Sequence, residues 1–143
     1  IQLTLSQQVA VSAAVIVTTP QDISLLDARK GIEMFRKVDI PSIGIVENMA
    51  MHTCTNCGHV EHIFGRGGGD RIAVDYDVPL LGSLPLDLSM RTSVDAGKPI
   101  VVGDPESPIA QIFRDIALKV ESSMAALRVS QDDARPTLVV SDD

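Results

Sequence analysis

The chain has 143 residues, of which 45% are apolar and 22% charged, and its formal net charge is −7. This length and composition fit one globular domain with its own core. The acidic balance argues against a nucleic-acid partner, because backbone phosphates require clustered lysine and arginine. The longest apolar stretch, residues 9–17, is too short to cross a bilayer. We therefore expect neither nucleic acid nor a membrane as a partner.

The first half of the chain predicts a strand, a helix and a second strand. A β-branched run at residues 14–18 indicates a strand buried on both faces, and residues 41–48 indicate another. Thr19 is the expected cap of the helix between them, which ends near Lys37. Gly31 interrupts that helix, so we expect it to pack closely on the sheet.

The second half continues the same alternation. A short helix is predicted over residues 69–76, a third strand over 79–85 and a turn rich in charge and glycine over 87–99. A long amphipathic helix then begins at Ser107 and Pro108, and a polar, acidic tail over residues 128–143 is expected to be disordered. Strands that alternate with helices predict an α/β fold, a parallel sheet with flanking helices. Three strands are few for such a sheet, and the opening IQLTLSQQ suggests that further strands precede it.

Polar residues follow the predicted strands at the edge where parallel sheets bind ligands. Asn48 comes directly after the second strand, and residues 85–87 follow the third. The amide of Asn48 offers a donor and an acceptor that could recognise a base edge. The alternative is that Asn48 and Asp87 are ordinary loop residues.

The glycine run GRGGGD at residues 65–70 is not a phosphate-binding P-loop. The motif Gly-x4-Gly-Lys-Ser/Thr occurs nowhere in the chain, and AGKP at residues 96–99 lacks the hydroxyl residue that would bind magnesium. We interpret residues 67–69 as a flexible hinge.

Both cysteines of the chain, Cys54 and Cys57, lie in a loop that also contains all three histidines. A C-x-x-C pair can hold a metal ion, half of a shared cluster or a redox disulfide, or it can have no ligand. A zinc site within one chain would be cramped, because His59 follows Cys57 by two residues. A four-iron cluster needs four thiolates, so two chains would have to share it across a two-fold axis. We expect the histidines to face solvent and not to bind metal.

Several motifs in order resemble the C-terminal half of the Mrp/ApbC family of deviant-Walker P-loop ATPases that carry iron–sulfur clusters. They are VIVTTPQDISLLDARKGIEMF, GIVENM, CTNCGHVEHIFGRGGG, LLGSLPLD and MRTSVDAGKPIVV. The resemblance covers nearly all of residues 1–127 and implies the C-terminal portion of a MinD-like P-loop NTPase domain, with a cluster-binding loop at 49–69.

The resemblance also implies residue roles. Cys54 and Cys57 match the family's ligands for a [4Fe–4S] cluster held between two subunits of a homodimer. Asn48, Pro85 and Asp87 match its adenine-recognition segments. The family's P-loop lysine and switch aspartate have no counterpart here, so ATP and magnesium binding, with hydrolysis, are implied for the complete protein only.

The expected function is that of a cytoplasmic iron–sulfur cluster carrier and assembly ATPase that supplies apo-proteins. A zinc-stabilised dimerisation module without cluster transfer is the rival hypothesis. A third possibility is a fragment whose sheet is too incomplete to fold.

Overall fold

The computed structural model describes residues 2–133, and it describes side-chain surroundings from residue 4 to residue 130. In chain order the elements are α1 (Gln2–Gln8), β1 (Ala14–Thr18), α2 (Asp22–Lys37), β2 (Ser42–Glu47), β3 (His52–Thr53), β4 (Val60–Glu61), α3 (Gly68–Tyr76), β5 (Leu80–Ser83), α4 (Leu88–Asp95), α5 (Ile100–Gly103) and α6 (Pro108–Asp133).

Three parallel strands form the main sheet in the order β1-β2-β5. The register pairs Thr18 of β1 with Glu47 of β2, and Glu47 with Ser83 of β5. The three strands therefore end at the same edge of the sheet. The α/β class with a parallel sheet, predicted from the sequence, is confirmed.

Helices cover both faces of this sheet. On one face, α2 and α3 pack on the sheet around Ile45, which is fully buried. On the other face, α6 covers β2 and β5 through Phe113 and Ile116. The close approach of α6 to β5 needs glycine at position 82, because a Cβ added there would lie 2.7 Å from Cγ1 of Ile116.

Some predictions about the first half of the chain are wrong. Val15 and Val17 of β1 are exposed, because α6 packs over β2 and β5 and leaves that face of β1 uncovered. Thr19 is not the helix cap, since α2 begins at Asp22 after Gln21. Gly31 does not pack closely on the sheet, because an added Cβ would meet nothing within 4 Å.

The segment predicted as a turn over residues 87–99 contains the helix α4. Asp87 caps this helix, and the chain leaves it through Gly97 at a φ of 71°. The pattern hid the helix because none of its residues is buried.

The last helix, α6, continues through residues 128–133, where the sequence predicted the start of the tail. No glycine or proline interrupts the chain between Pro108 and Pro136, so nothing in that stretch stops the helix. The rest of the predicted tail, residues 134–143, lies outside the described residues. No helix within residues 2–133 is long and apolar enough to cross a membrane.

Candidate metal and nucleotide site at the edge of the sheet

The segments that follow β2 and β5 run side by side beyond the end of the sheet. The Leu84 N–H donates to the Glu47 carbonyl at 2.8 Å, and the Ala50 N–H donates to the Leu84 carbonyl at 3.0 Å. The Leu86 N–H donates to the carbonyl of Met51 at 2.8 Å. The structure thus brings the segment containing Asn48 beside the one containing residues 85–87, as the parallel-strand rule predicts.

Asn48 is half-buried at this edge. Its N–H donates to the Thr18 carbonyl at 2.7 Å, which ties it to the end of β1. Its Oδ1 accepts from the Met49 N–H at 2.9 Å, while its side-chain NH2 has no hydrogen-bond partner among the described residues. The amide donors of Asn48 therefore remain available for a ligand.

Asp87 has a structural role as the N-cap of α4. Its Oδ1 accepts from the N–H of Ser89 at 2.7 Å and of Met90 at 3.3 Å, and also from the Ser89 hydroxyl. The hydrogen bond from the Ser89 hydroxyl is the main cause that lowers the pKa of Asp87 below its ordinary value. Pro85 is half-buried between Leu84 and Leu86, whose backbones bond the facing segment. A contact between Asp87 and a nucleotide base would be a second role of this side chain, besides capping α4.

An apolar cavity of about 670 Å³ opens beside Asp87. Its walls include Met49 and His52 from the segment after β2, Leu88 from α4 and Phe113 from α6. This volume is in the range of small-molecule sites.

The cysteines lie at the tip of a short antiparallel hairpin formed by β3 and β4. The Cys54 N–H donates to the His59 carbonyl at 2.8 Å, and the Gly58 N–H donates to the Cys54 carbonyl at 2.9 Å. Gly58 has a φ of 73°, a left-handed conformation that glycine adopts at little cost. The turn leaves Cys54 half-buried and Cys57 exposed, both as free thiols.

The turn favours the thiolate form of Cys54. The backbone N–H groups of Asn56 and Cys57 lower the pKa of the Cys54 thiol, and the Cys57 side chain adds to this effect. Burial and the Glu61 carboxylate act in the opposite direction. Because the thiolate is the form that binds metal, this donor pair fits half of a thiolate-ligated centre. Within the described part of the chain, no group of three or more His, Cys, Asp and Glu side chains could hold a metal ion.

Two of the three histidines fasten the hairpin to the edge of the sheet. His52 Nδ1 donates to the Leu86 carbonyl at 3.1 Å, and His62 Nδ1 donates to the Ala50 carbonyl at 2.8 Å. The expectation that all three face solvent is therefore wrong. His59 is exposed, and its Nε2 lies 4.0 Å from Oε1 of Glu61.

The glycine run that follows the hairpin is packed closely, so the hinge interpretation is wrong. Gly68 and Gly69 are buried in the first turn of α3. A Cβ on Gly68 would lie 2.9 Å from Cδ1 of Leu25 and 3.1 Å from Cα of Pro20. These glycines allow α3 to approach the sheet.

One buried residue of this edge was not identified from the sequence. Glu47 is 5% exposed, and its Oε1 accepts a 2.8 Å hydrogen bond from the Gly69 N–H. A glutamate at the end of an apolar strand, followed after about twenty residues by a glycine run, was the available signal.

Comparison with solved structures defines the class of protein. The nucleotide-binding protein of Archaeoglobus fulgidus in complex with ADP matches with a TM-score of 0.61 and 33% identity, over 73% of this chain and 42% of that one. The cell division ATPase MinD of Pyrococcus furiosus matches with a TM-score of 0.61 and 26% identity, over 78% of this chain and 43% of that one. The fold is that of the MinD-like P-loop NTPases.

Comparison with sequence families is more specific. The ParA family model, described as NUBPL iron-transfer P-loop NTPase, matches residues 1–121. The chain belongs to this family, and the resemblance to Mrp/ApbC proteins is confirmed.

Named relatives agree with this assignment. An iron-sulfur cluster carrier protein of Pseudomonas fragi is 60% identical over 118 residues, which cover 82% of this chain and 41% of the relative. The iron-sulfur cluster transfer protein NUBPL of Mus musculus is 48% identical over 120 residues, which cover 84% of this chain and 38% of the relative. The chain thus spans about two fifths of the length of these relatives.

Proposed function

We propose that this protein carries a [4Fe–4S] cluster between two identical subunits and transfers it to apo iron–sulfur proteins. The observation that carries the proposal is the Cys54–Cys57 hairpin. It presents two accessible thiols in a turn that favours the thiolate, without a third protein ligand among the described residues.

The proposal takes the other two ligands of the cluster from a second subunit. A [4Fe–4S] cluster is held by four thiolates, and this chain has two cysteines. A two-fold axis beside the hairpin would bring the same pair from a second copy, and such isologous contacts are the commonest form of homodimer. The names of the relatives, cluster carrier and cluster transfer proteins, support the choice of cargo.

Nucleotide is the proposed regulator of the complete protein. Asn48, Pro85 and Asp87 would contact adenine, and ATP with magnesium would be bound and hydrolysed with residues outside this chain. Asn48 lies six positions before Cys54, so at most about 20 Å of chain separates the base from the cluster. A change at the nucleotide can therefore reach the hairpin through few residues.

A cytoplasmic location is part of the proposal. A reducing compartment would keep Cys54 and Cys57 available as thiols for a cluster.

Anaerobic reconstitution with iron and sulfide tests the cargo. We expect a broad absorbance at about 400 nm that disappears in Cys54→Ser and in Cys57→Ser and persists in Thr55→Ser, a control on the same turn. A colourless dimer that holds zinc through the same cysteines would favour the rival dimerisation module.

Transfer to an apo-acceptor tests the regulation. In the full-length protein, Asn48→Ala should reduce the effect of nucleotide on the rate of cluster transfer. An unchanged nucleotide effect would refute the coupling.

A further inference from the structure

A buried carboxylate lies between the nucleotide edge and the end of the cysteine segment. Glu47 is 5% exposed, which is unusual for a glutamate unless it is paired. No lysine, arginine or histidine within the described residues forms an ion pair with it. Its hydrogen-bond partner is the backbone N–H of Gly69, at 2.8 Å from Oε1.

This hydrogen bond occurs at the start of α3. Gly69 is the second residue of that helix, so its N–H has no partner within the helix. A carboxylate is favoured there because the first turn of a helix carries partial positive charge. Glycine is needed for the approach, since a Cβ on Gly69 would lie 3.1 Å from Cβ of Glu47 and 3.0 Å from Cδ1 of Leu80.

The two partners are 22 positions apart and enclose the cysteine hairpin. Glu47 directly precedes Asn48, the proposed base contact, and Gly69 lies just beyond the segment that contains both cysteines. The hydrogen bond between Glu47 and Gly69 therefore joins the two ends of the segment that contains the cysteines. The hydrogen bonds from His52 and His62 to backbone carbonyls hold the same segment at two further points.

We infer that Glu47 is a positioning residue for cluster transfer, holding the glycine segment after the hairpin against the nucleotide edge so that both respond together to nucleotide. The inference rests on the proposed function for its cargo. Glu47 would act through the backbone of Gly69, and it is not one of the proposed cluster ligands.

The test uses the full-length protein with Glu47→Ala, Glu47→Gln and the control Glu121→Gln, which removes an exposed carboxylate from α6, away from the hairpin. Hydrogen exchange is measured on the cluster-free protein with and without ADP. In the wild type, ADP should slow exchange across residues 51–69. In Glu47→Ala the Gly69 amide should exchange about tenfold faster or more, and the response of residues 51–69 to ADP should be lost. Glu47→Gln retains an oxygen acceptor and should keep part of the response, whereas Glu121→Gln should behave as the wild type.

The second readout is the rate at which the reconstituted cluster passes to a chelator. Glu47→Ala should bind as much iron as the wild type but lose most of the effect of nucleotide on the release rate. If every variant, Glu47→Ala included, keeps the wild-type response to ADP in the exchange experiment, or if the wild type itself shows none, the inference is overturned. A wild type that binds no cluster would refute the proposed function instead, and the exchange experiment would still decide the role of Glu47.

Discussion

Replacing Asp87 separates two roles that the structure places on one side chain. Asp87→Ala removes the oxygen that accepts from the N–H groups of Ser89 and Met90 at the start of α4. Asp87→Asn keeps an acceptor of similar capping strength but removes the charge. The two variants therefore isolate the cap from the carboxylate.

The size of the effect follows from the cap and from the small burial of the helix. Loss of an N-cap costs about 1 kcal/mol, within a range of about 0.5 to 2. Since none of the residues of α4 is buried, this cost should appear as local fraying of that helix. In Asp87→Ala we expect its amides to exchange about fivefold faster, and in Asp87→Asn we expect little change.

Acid should weaken the Asp87 cap in the wild type, although the protonated carboxyl keeps one oxygen acceptor. The pKa of Asp87 is lowered in the folded protein, chiefly by the hydrogen bond from Ser89. The carboxylate thus stabilises the fold fully above its unfolded pKa of about 3.9, and this contribution is lost as the pH falls through the lower folded value.

The assays are hydrogen exchange of α4 and binding of ADP to the full-length protein. If the carboxylate contacts adenine, Asp87→Asn should bind ADP about tenfold more weakly even though α4 stays capped. Equal exchange rates for α4 in Asp87→Ala and the wild type would refute the capping argument. Unchanged ADP affinity in both variants would refute the base contact.

Three further predictions concern glycines and the thiol. Gly44→Ala should destabilise the chain by about 1 to 3 kcal/mol in urea unfolding, because its Cβ would lie 2.3 Å from Leu81. Gly31→Ala should stabilise it by about 0.5 to 1 kcal/mol, because alanine favours the helix and the site is open; a loss of stability would contradict this reasoning. Cys54 in the metal-free protein should react with iodoacetamide at a lower pH than an ordinary thiol, whose pKa is about 8.5. Mass spectrometry of the alkylated peptide measures this reaction as a function of pH. The pH dependence of an ordinary thiol would contradict the claim that the turn favours the thiolate.

The sequence was sufficient where a local pattern and its physical cause coincide. The strands were recognisable in the sequence as apolar runs, and their parallel pairing follows from the alternation of strands with helices. The meeting of Asn48 with residues 85–87 followed from one rule about the ends of parallel strands.

The missed features depend on contacts between distant parts of the chain. Glu47 is buried because Gly69 comes within hydrogen-bond distance from 22 positions away. The exposure of Val17 depends on where α6 packs, which the strand itself does not reveal. The strands β3 and β4 have two residues each, too few for alternation to be visible.

Sedimentation of the reconstituted protein tests the central claim most directly. The fractions are followed by their absorbance at about 400 nm and analysed for iron and sulfide. The proposal predicts that the coloured species is a dimer with about four iron atoms per two chains, and that a Cys54→Ser variant gives colourless protein. Iron and sulfide held tightly by a monomer would contradict it.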